Sequence, residues 1–412
     1  MLDPARIFAP IRRETSIALA VSGGADSLAL MLLFAEWAPA EGKPRAVVYT
    51  VDHRLRPEAA EEAAMVAREA ERLGLEARIL VWDAPKPATG RQAAAREARY
   101  RLMGEAMAQD GSTLLLTAHH RRDQAETVLM RLAHGSGVAG LAGMAPFAEV
   151  EAVALFRPLL DTDPDALAAL VEHAGLVPAR DPSNFDRAYE RTRWRDILPD
   201  LGRLGLTDAR LAQFAGRMAR IEAQAQSAAR QFIAAHCHVD FLGVAHIARE
   251  AFGAADAETA IRALAVAIAA ASGQDLRALA PVEAMAARLR NEPGTALTLG
   301  GAVIAPRADA ILVYREAGRM DAGSLLLTPG QSGRWDNRFT VTAPARAVTV
   351  TPAALLTRER FEDLLAQPLA VPVAALHAAP VVRAEDGAIL AIGSHVFEAG
   401  LSIAGPMLTA WH

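Results

Sequence analysis

The chain has 412 residues, 52% of them hydrophobic and 22% charged, with a formal net charge of −5. That length allows more than one domain and a sizeable core, and the acidic balance excludes a uniformly basic nucleic-acid binder. The single cysteine, Cys237, excludes disulfide frameworks and paired-cysteine zinc or iron–sulfur sites within one chain. The opening "MLDPARIFAPIRRETS" lacks the apolar centre of a signal peptide, and no apolar run reaches the roughly 18 residues of a membrane span. A cytoplasmic protein with no membrane contact is expected.

Taken in order, the first half alternates in period. "IALAV" (17–21) reads as a buried strand and "LALMLLFAEWA" (28–38) as a helix. A strand at 45–53, a helix at 58–75, a strand at 76–82 and a helix at 91–109 follow. A strand at 112–119 and a helix at 123–135 complete the series. Strands alternating with helices of this length predict βαβ units and a parallel sheet, whose ligands bind at the carboxyl ends of the strands. From Leu201 the pattern turns mainly helical (206–236, 254–272, 275–290), with short β-like runs at "TALTLGGAVIAP" and "AILVYRE". A Gly- and Pro-rich stretch, "LTPGQSGRWDNRF", opens a last segment with strand character, in which Trp335 and Phe339 are expected in the core. Three regions follow: 1–200, an α/β parallel-sheet domain; 201–320, mainly helical; and 321–412, a small α+β domain. Residues 180–230 carry ten arginines against seven acids, which reads either as a solvated helix face with internal pairs or as a patch for phosphates.

The corner after the first strand, Ser22-Gly23-Gly24-Ala25-Asp26-Ser27, has the chemistry of a phosphate cradle. Two glycines permit close backbone approach, and the amides at a helix start favour an anion. It is neither GxxxxGK[ST] nor GxGxxG. With no lysine, the phosphate charge must be met by amides, dipole and a metal that Asp26 would help to hold. His53 and Arg56 close the second strand. His119 and His120 close the fourth, at the same sheet edge. Asp123 and Glu126 stand three apart in the next helix, on one face, a spacing for a second metal contact or an acid/base pair.

The string SGGADS resembles the signature of the PP-loop ATP pyrophosphatases, of the adenine nucleotide alpha hydrolase-like fold. The ordered set SGGADS, VDHRLRP, AHHRRDQAET, GSGVAGLAGM, FRPLL and DPSNFDRAYERTRWRDILPDL over residues 18–201 narrows this to the tRNA(Ile)-lysidine synthase family. The resemblance implies ATP and Mg²⁺, adenylation of the wobble cytidine in the CAU anticodon of tRNA(Ile), attack by free L-lysine, and release of AMP and pyrophosphate. The lysidine formed shifts decoding from AUG to AUA. It further implies Ser22–Ser27, with His53 and Arg56, as the ATP site, and Asp26 and Asp123 as metal contacts. Asp123 and Glu126 are candidates for that contact or for holding the lysine amine. Arg96 and Arg99 would face phosphates or RNA, Arg191 and Arg195 the α-phosphate or RNA, and His119 and His120 the substrate. A homodimer is the family expectation. The alternative is another PP-loop enzyme acting on a small molecule. Arg122, His134, Gln92 and Thr192 depart from the family's commoner residues, which bears on RNA contacts rather than on Asp26, Asp123 or Glu126.

Overall fold

In strand β1 (Ser16–Ala20), Ile17 and Leu19 belong to one apolar cluster and Ala18 and Ala20 to another, all of them buried. This two-sided burial is what a sheet covered on both faces requires, and each fully buried aliphatic side chain contributes about 1.5–3 kcal/mol. The computed structural model describes residues 2–38, 44–55, 58–87, 89–179, 187–274, 276, 279–291, 294–320, 323–354 and 356–409. They form two compact units, 1–222 and 223–412.

In the first unit, α1 (Pro4–Ile7) precedes β1, which is followed by α2 (Ala25–Trp37), β2 (Arg45–Asp52), α3 (Glu58–Arg72) and β3 (Glu76–Val81). Next come α4 (Arg91–Asp110), β4 (Leu114–Leu116), α5 (Arg121–Ala133) and α6 (Val138–Leu141). A hairpin of β5 (Phe147–Val150) and β6 (Val153–Phe156) leads to α7 (Pro164–His173) and α8 (Glu190–Arg203). The sheet order is β3-β2-β1-β4-β6-β5. Every pairing is parallel except β5 with β6. Ile17 lies opposite Ala46 on one side and Leu114 on the other. The order reverses between β1 and β4, which opens a crevice at their carboxyl ends. On one face Phe34, Trp37, Val66 and Leu167 join the β1 side chains; on the other Tyr49, Tyr100, Met103 and Met107 do.

Helix α9 (Asp208–His236) runs across residue 222 into the second unit. The stretch expected to be mainly helical also carries an antiparallel sheet. Strands β7 (Cys237–Val239) and β8 (Ala245–Ala248) precede α10 (Arg249–Ala254), α11 (Ala257–Ser272) and α12 (Ala280–Asn291). Strands β9 (Leu297–Leu299), β10 (Ala302–Pro306) and β11 (Ala310–Arg315) complete the order β7-β8-β11-β10-β9. The last segment holds β12 (Leu325–Leu327), β13 (Ser332–Trp335), β14 (Phe339–Thr342), β15 (Val348–Pro352), α13 (Arg358–Leu365) and α14 (Val373–His377). It ends in β16 (Pro380–Ala384), β17 (Ile389–Ile392), β18 (His395–Val396) and β19 (Ser402–Ala404). These strands make the sheets β12-β15-β16-β17-β18 and β13-β14-β19. Trp335 and Phe339 are core residues.

Leu312 and Tyr314 of β11 share an apolar cluster with Phe361, Leu376 and Val381, so the halves either side of residue 320 are packed as one body. A buried polar clasp joins them as well. Asp336, in the positive-φ turn between β13 and β14, receives Nε of Arg315 at 3.2 Å and Nε of Arg338 at 2.7 Å. Arg338 also reaches the Ala378 carbonyl, and Arg315 the Gly301 carbonyl. Burial lowers the Arg338 pKa to about 10, against the pull of Asp336. Asp336→Asn keeps a residue suited to positive φ but leaves two buried guanidiniums without a carboxylate. Urea unfolding is expected to show a loss of about 3–5 kcal/mol; an unchanged midpoint would refute the clasp.

Candidate active site

β1 delivers the SGGADS corner to the crevice. The Val21 N–H donates to the Tyr49 carbonyl, extending the β1–β2 pairing by one bond, and the chain then turns at Gly23, whose φ of +87° disfavours any side chain. Ser27 sets the turn: its Oγ accepts the Ser22 N–H at 3.1 Å and donates to the Gly24 carbonyl at 2.9 Å. The hydroxyl that the sequence offers to a nucleotide is thus engaged within the loop. Gly24 caps α2 with no side-chain bond to the first-turn amides, so those N–H groups have no intrahelical acceptor and suit an anion. The Ala179 N–H donates to the Gly23 carbonyl.

β4 delivers the second half of the site. His120 caps α5 in a reciprocal box: its Nδ1 accepts the Asp123 N–H at 3.3 Å, and its own N–H donates to Asp123 Oδ2 at 3.1 Å. The other ring nitrogen, Nε2, lies 3.5 Å from both Asp26 Oδ2 and Asp123 Oδ2. Carboxylates 97 positions apart in sequence therefore meet at one imidazole. Burial opposes charge on His120, but the Asp26 bond and the charges of Asp123, Asp26 and Glu126 outweigh it and raise the ring above its ordinary value. An imidazolium cannot accept the Asp123 N–H at Nδ1, so charging the ring trades the cap for the carboxylate contact.

Glu126 is fully buried. Arg195 binds both its oxygens, at 2.7 and 3.2 Å, and Arg191 Nε lies 3.3 Å from Oε2. Arg191 also donates to Thr127 Oγ1 at 3.2 Å. Neighbours at i and i+3, Asp123 and Glu126 thus have different surroundings. Asp123 faces His120, with Arg195 Nη2 4.0 Å from its Oδ1, whereas Glu126 anchors the two arginines of α8. The Glu126 bond holds Arg195 above its ordinary pKa. His119 bonds Thr117 Oγ1 at 2.9 Å. Burial, helped by Arg157, Arg191 and Arg99 and opposed by Asp123, lowers its pKa to about 4.

A cavity of about 600 Å³ opens on the cradle, lined by Val21, Ser22, Gly24, Thr50, His53, Leu55, Arg99, Met103 and Tyr189 among others. His53 meets Trp82 edge-on. Arg99 lines the cavity, while Arg96 lies over the Tyr100 ring at 5.1 Å and outside that lining. Ala25 starts α2 beside Asp26. Arg56 and the DPSN segment at 181–184 lie outside the described residues. Sequence reasoning passed over Gln124, Arg131 and Arg157. Gln124 fixes the glycine-rich loop through both backbone groups of Met144. Arg131 donates to the carbonyls of Gly140 and Gly143. FRPLL marked the position of Arg157 but not its role.

The architecture and cradle define a PP-loop ATP-binding protein, and the PP-loop domain family matches residues 4–201. The tRNA(Ile)-lysidine synthase of Bradyrhizobium sp. strain BTAi1 is 49% identical over 219 residues, covering 53% of this chain and 61% of the relative. That of Rhodopseudomonas palustris is 49% identical over 233 residues, covering 56% and 67%. The chain thus spans about three fifths to two thirds of the length of these two. The tRNA(Ile)-lysidine synthase of Ruegeria pomeroyi is 36% identical over 402 residues, 93% of each chain. The chain belongs to the tRNA(Ile)-lysidine synthase family.

Two outcomes test this geometry. Glu126→Ala, which leaves Arg191 and Arg195 without their common carboxylate, is expected to cost about 3–5 kcal/mol in urea unfolding; loss of activity at unchanged stability would contradict an anchoring role. His119 is expected to stay neutral in NMR titrations until about pH 4. The unfolded ring takes up a proton near pH 6.5, so this group's contribution to stability is lost as pH falls from there toward 4. A ring titrating near 6.5 in the folded protein would contradict its burial.

Proposed function

We propose that the chain joins free L-lysine to the wobble cytidine of the CAU anticodon of tRNA(Ile), using ATP and yielding lysidine, AMP and pyrophosphate. The observation that carries this reading is the meeting of Asp26 and Asp123 at His120 Nε2, beside the cavity bordered by the cradle. In the first step the cytosine carbonyl oxygen attacks the α-phosphorus, the bond to the bridging oxygen breaks, and pyrophosphate departs. In the second the lysine amine attacks the activated ring carbon and AMP leaves with the former carbonyl oxygen. Adenylation is needed because that oxygen is otherwise a poor leaving group.

Each part of the site has work in this scheme. The cavity's apolar wall suits adenosine, and the free amides of α2 suit the departing pyrophosphate. A P-loop lysine serves chemistry at the γ-phosphate; here attack at the α-phosphate places the demand elsewhere, on Arg99, Arg191 and Arg195. Glu126 orients the latter two, and neutral His119 adds no competing charge. Mg²⁺ is commonly held by one or two carboxylates plus substrate phosphates. Asp26 and Asp123, converging on one nitrogen, suit that demand. Among the described residues no group of three or more His, Cys, Asp or Glu is placed to hold a metal ion by itself, so the substrate phosphates would have to complete its shell. Bound there, the cation contributes charge neutralisation on the phosphates. Decoding of AUA follows from the product. Association as a homodimer is part of the same reading, checked by light scattering.

Purified protein is expected to form AMP and pyrophosphate only with both lysine and the CAU-anticodon tRNA, with lysidine detected by mass spectrometry. Asp26→Ala should reduce this at least about 10³-fold without shifting the unfolding midpoint; full activity in that variant would refute the assignment. ATP turnover independent of RNA would favour a small-molecule substrate instead.

A further inference from the structure

Among the described residues four arginines of the first unit, Arg96 and Arg99 in α4, Arg131 in α5 and Arg157 after β6, show no carboxylate partner, whereas Arg191 and Arg195 share Glu126. Arg157 is the sharpest case. It follows β6 and is 7% exposed. Its Nη1 donates to the Ala145 carbonyl at 2.7 Å, and its buried Nε has no hydrogen-bond partner. Arg131, half-buried, also meets only backbone carbonyls. A carbonyl dipole satisfies an N–H but supplies no net charge, so burial of these cations stays uncompensated. The charges of Arg96 and Arg131 bear on Arg157, and burial lowers the pKa of both Arg157 and Arg131. The charges of Arg157 and Arg99 also bear on His119, the residue before the His120 cap of α5.

The missing partner is an anion, and the geometry narrows which one. Arg99 lines the nucleotide cavity, but Arg96, Arg131 and Arg157 do not. The phosphates of ATP therefore account for Arg99 and leave the other three. In the reaction proposed above, the target cytidine must stand against the α-phosphate, so the phosphodiester flanking that base comes alongside the ATP site. Its two non-bridging oxygens match the forked donors of a guanidinium. We propose that Arg157, with Arg96 and Arg131, seats a backbone phosphate of the RNA next to the nucleotide being modified. Arg157 and Arg131 would then contact the substrate directly, besides bonding the carbonyls of Ala145, Gly140 and Gly143.

This proposal rests on the RNA-modifying reading, and the experiment separates the two. Full-length wild type, Arg157→Gln and Arg96→Gln are compared for tRNA affinity across a salt series, and for KM toward tRNA, ATP and lysine. Each substitution is expected to weaken tRNA binding about tenfold and reduce the slope of log K against log salt by about one. The KM for ATP should stay unchanged. Arg96 is exposed and decides the matter if Arg157→Gln fails to fold. Unchanged tRNA affinity and salt slope in the folded variants would overturn the seat, as would a KM increase confined to ATP or to lysine. A wild type that neither binds nor modifies tRNA would overturn the functional reading, and this proposal with it.

Discussion

The site depends on β1 and β4 lying side by side. Their pairing, Ile17 with Leu114 and Leu19 with Leu116, brings the cradle and the His119–His120 corner to one crevice. Without that adjacency Asp26 and Asp123 would belong to unrelated helices. The strands are bound by buried aliphatic contacts on both faces, so apolar packing sets the position of the polar groups.

Placing three carboxylates close together raises an electrostatic cost, and each is met differently. Asp26 is partly exposed and shares His120 with Asp123. Asp123 also accepts a backbone N–H. Glu126, with no solvent access, receives two guanidiniums from α8. Arg191 and Arg195 keep 40% and 41% of their side chains exposed, against 15% for Asp123, so charge of both signs stays open to a phosphate chain.

The parallel sheet and the cradle were legible because their signals are local: apolar runs of strand length, glycines at a turn, a hydroxyl five residues on. The meeting of Asp26 with His120 was legible only through sheet topology. The burial of Glu126 was not. Spacing put Glu126 on the face of Asp123, but its partners arrive 65 and 69 residues later, and nothing in an i, i+3 pattern separates an anchor from a ligand. The hairpins β5–β6 and β7–β8 escaped because their strands are only three or four residues long. The expected boundary at 320 followed a change of composition, yet β11 and β16 share a core across it.

The Arg315–Asp336–Arg338 clasp bears on how the second unit is made. Arg315 leaves the ribosome 21 residues ahead of the carboxylate it requires, and Arg338 must also wait for the Ala378 carbonyl, 40 residues further on. The sheet ending in β11 cannot close over its arginine until the turn that carries Asp336 has been made. For the same reason the unit's last ninety or so residues are a poor candidate for exchange between genes, because a recombination point near 320 would pass on a buried charge without its partner.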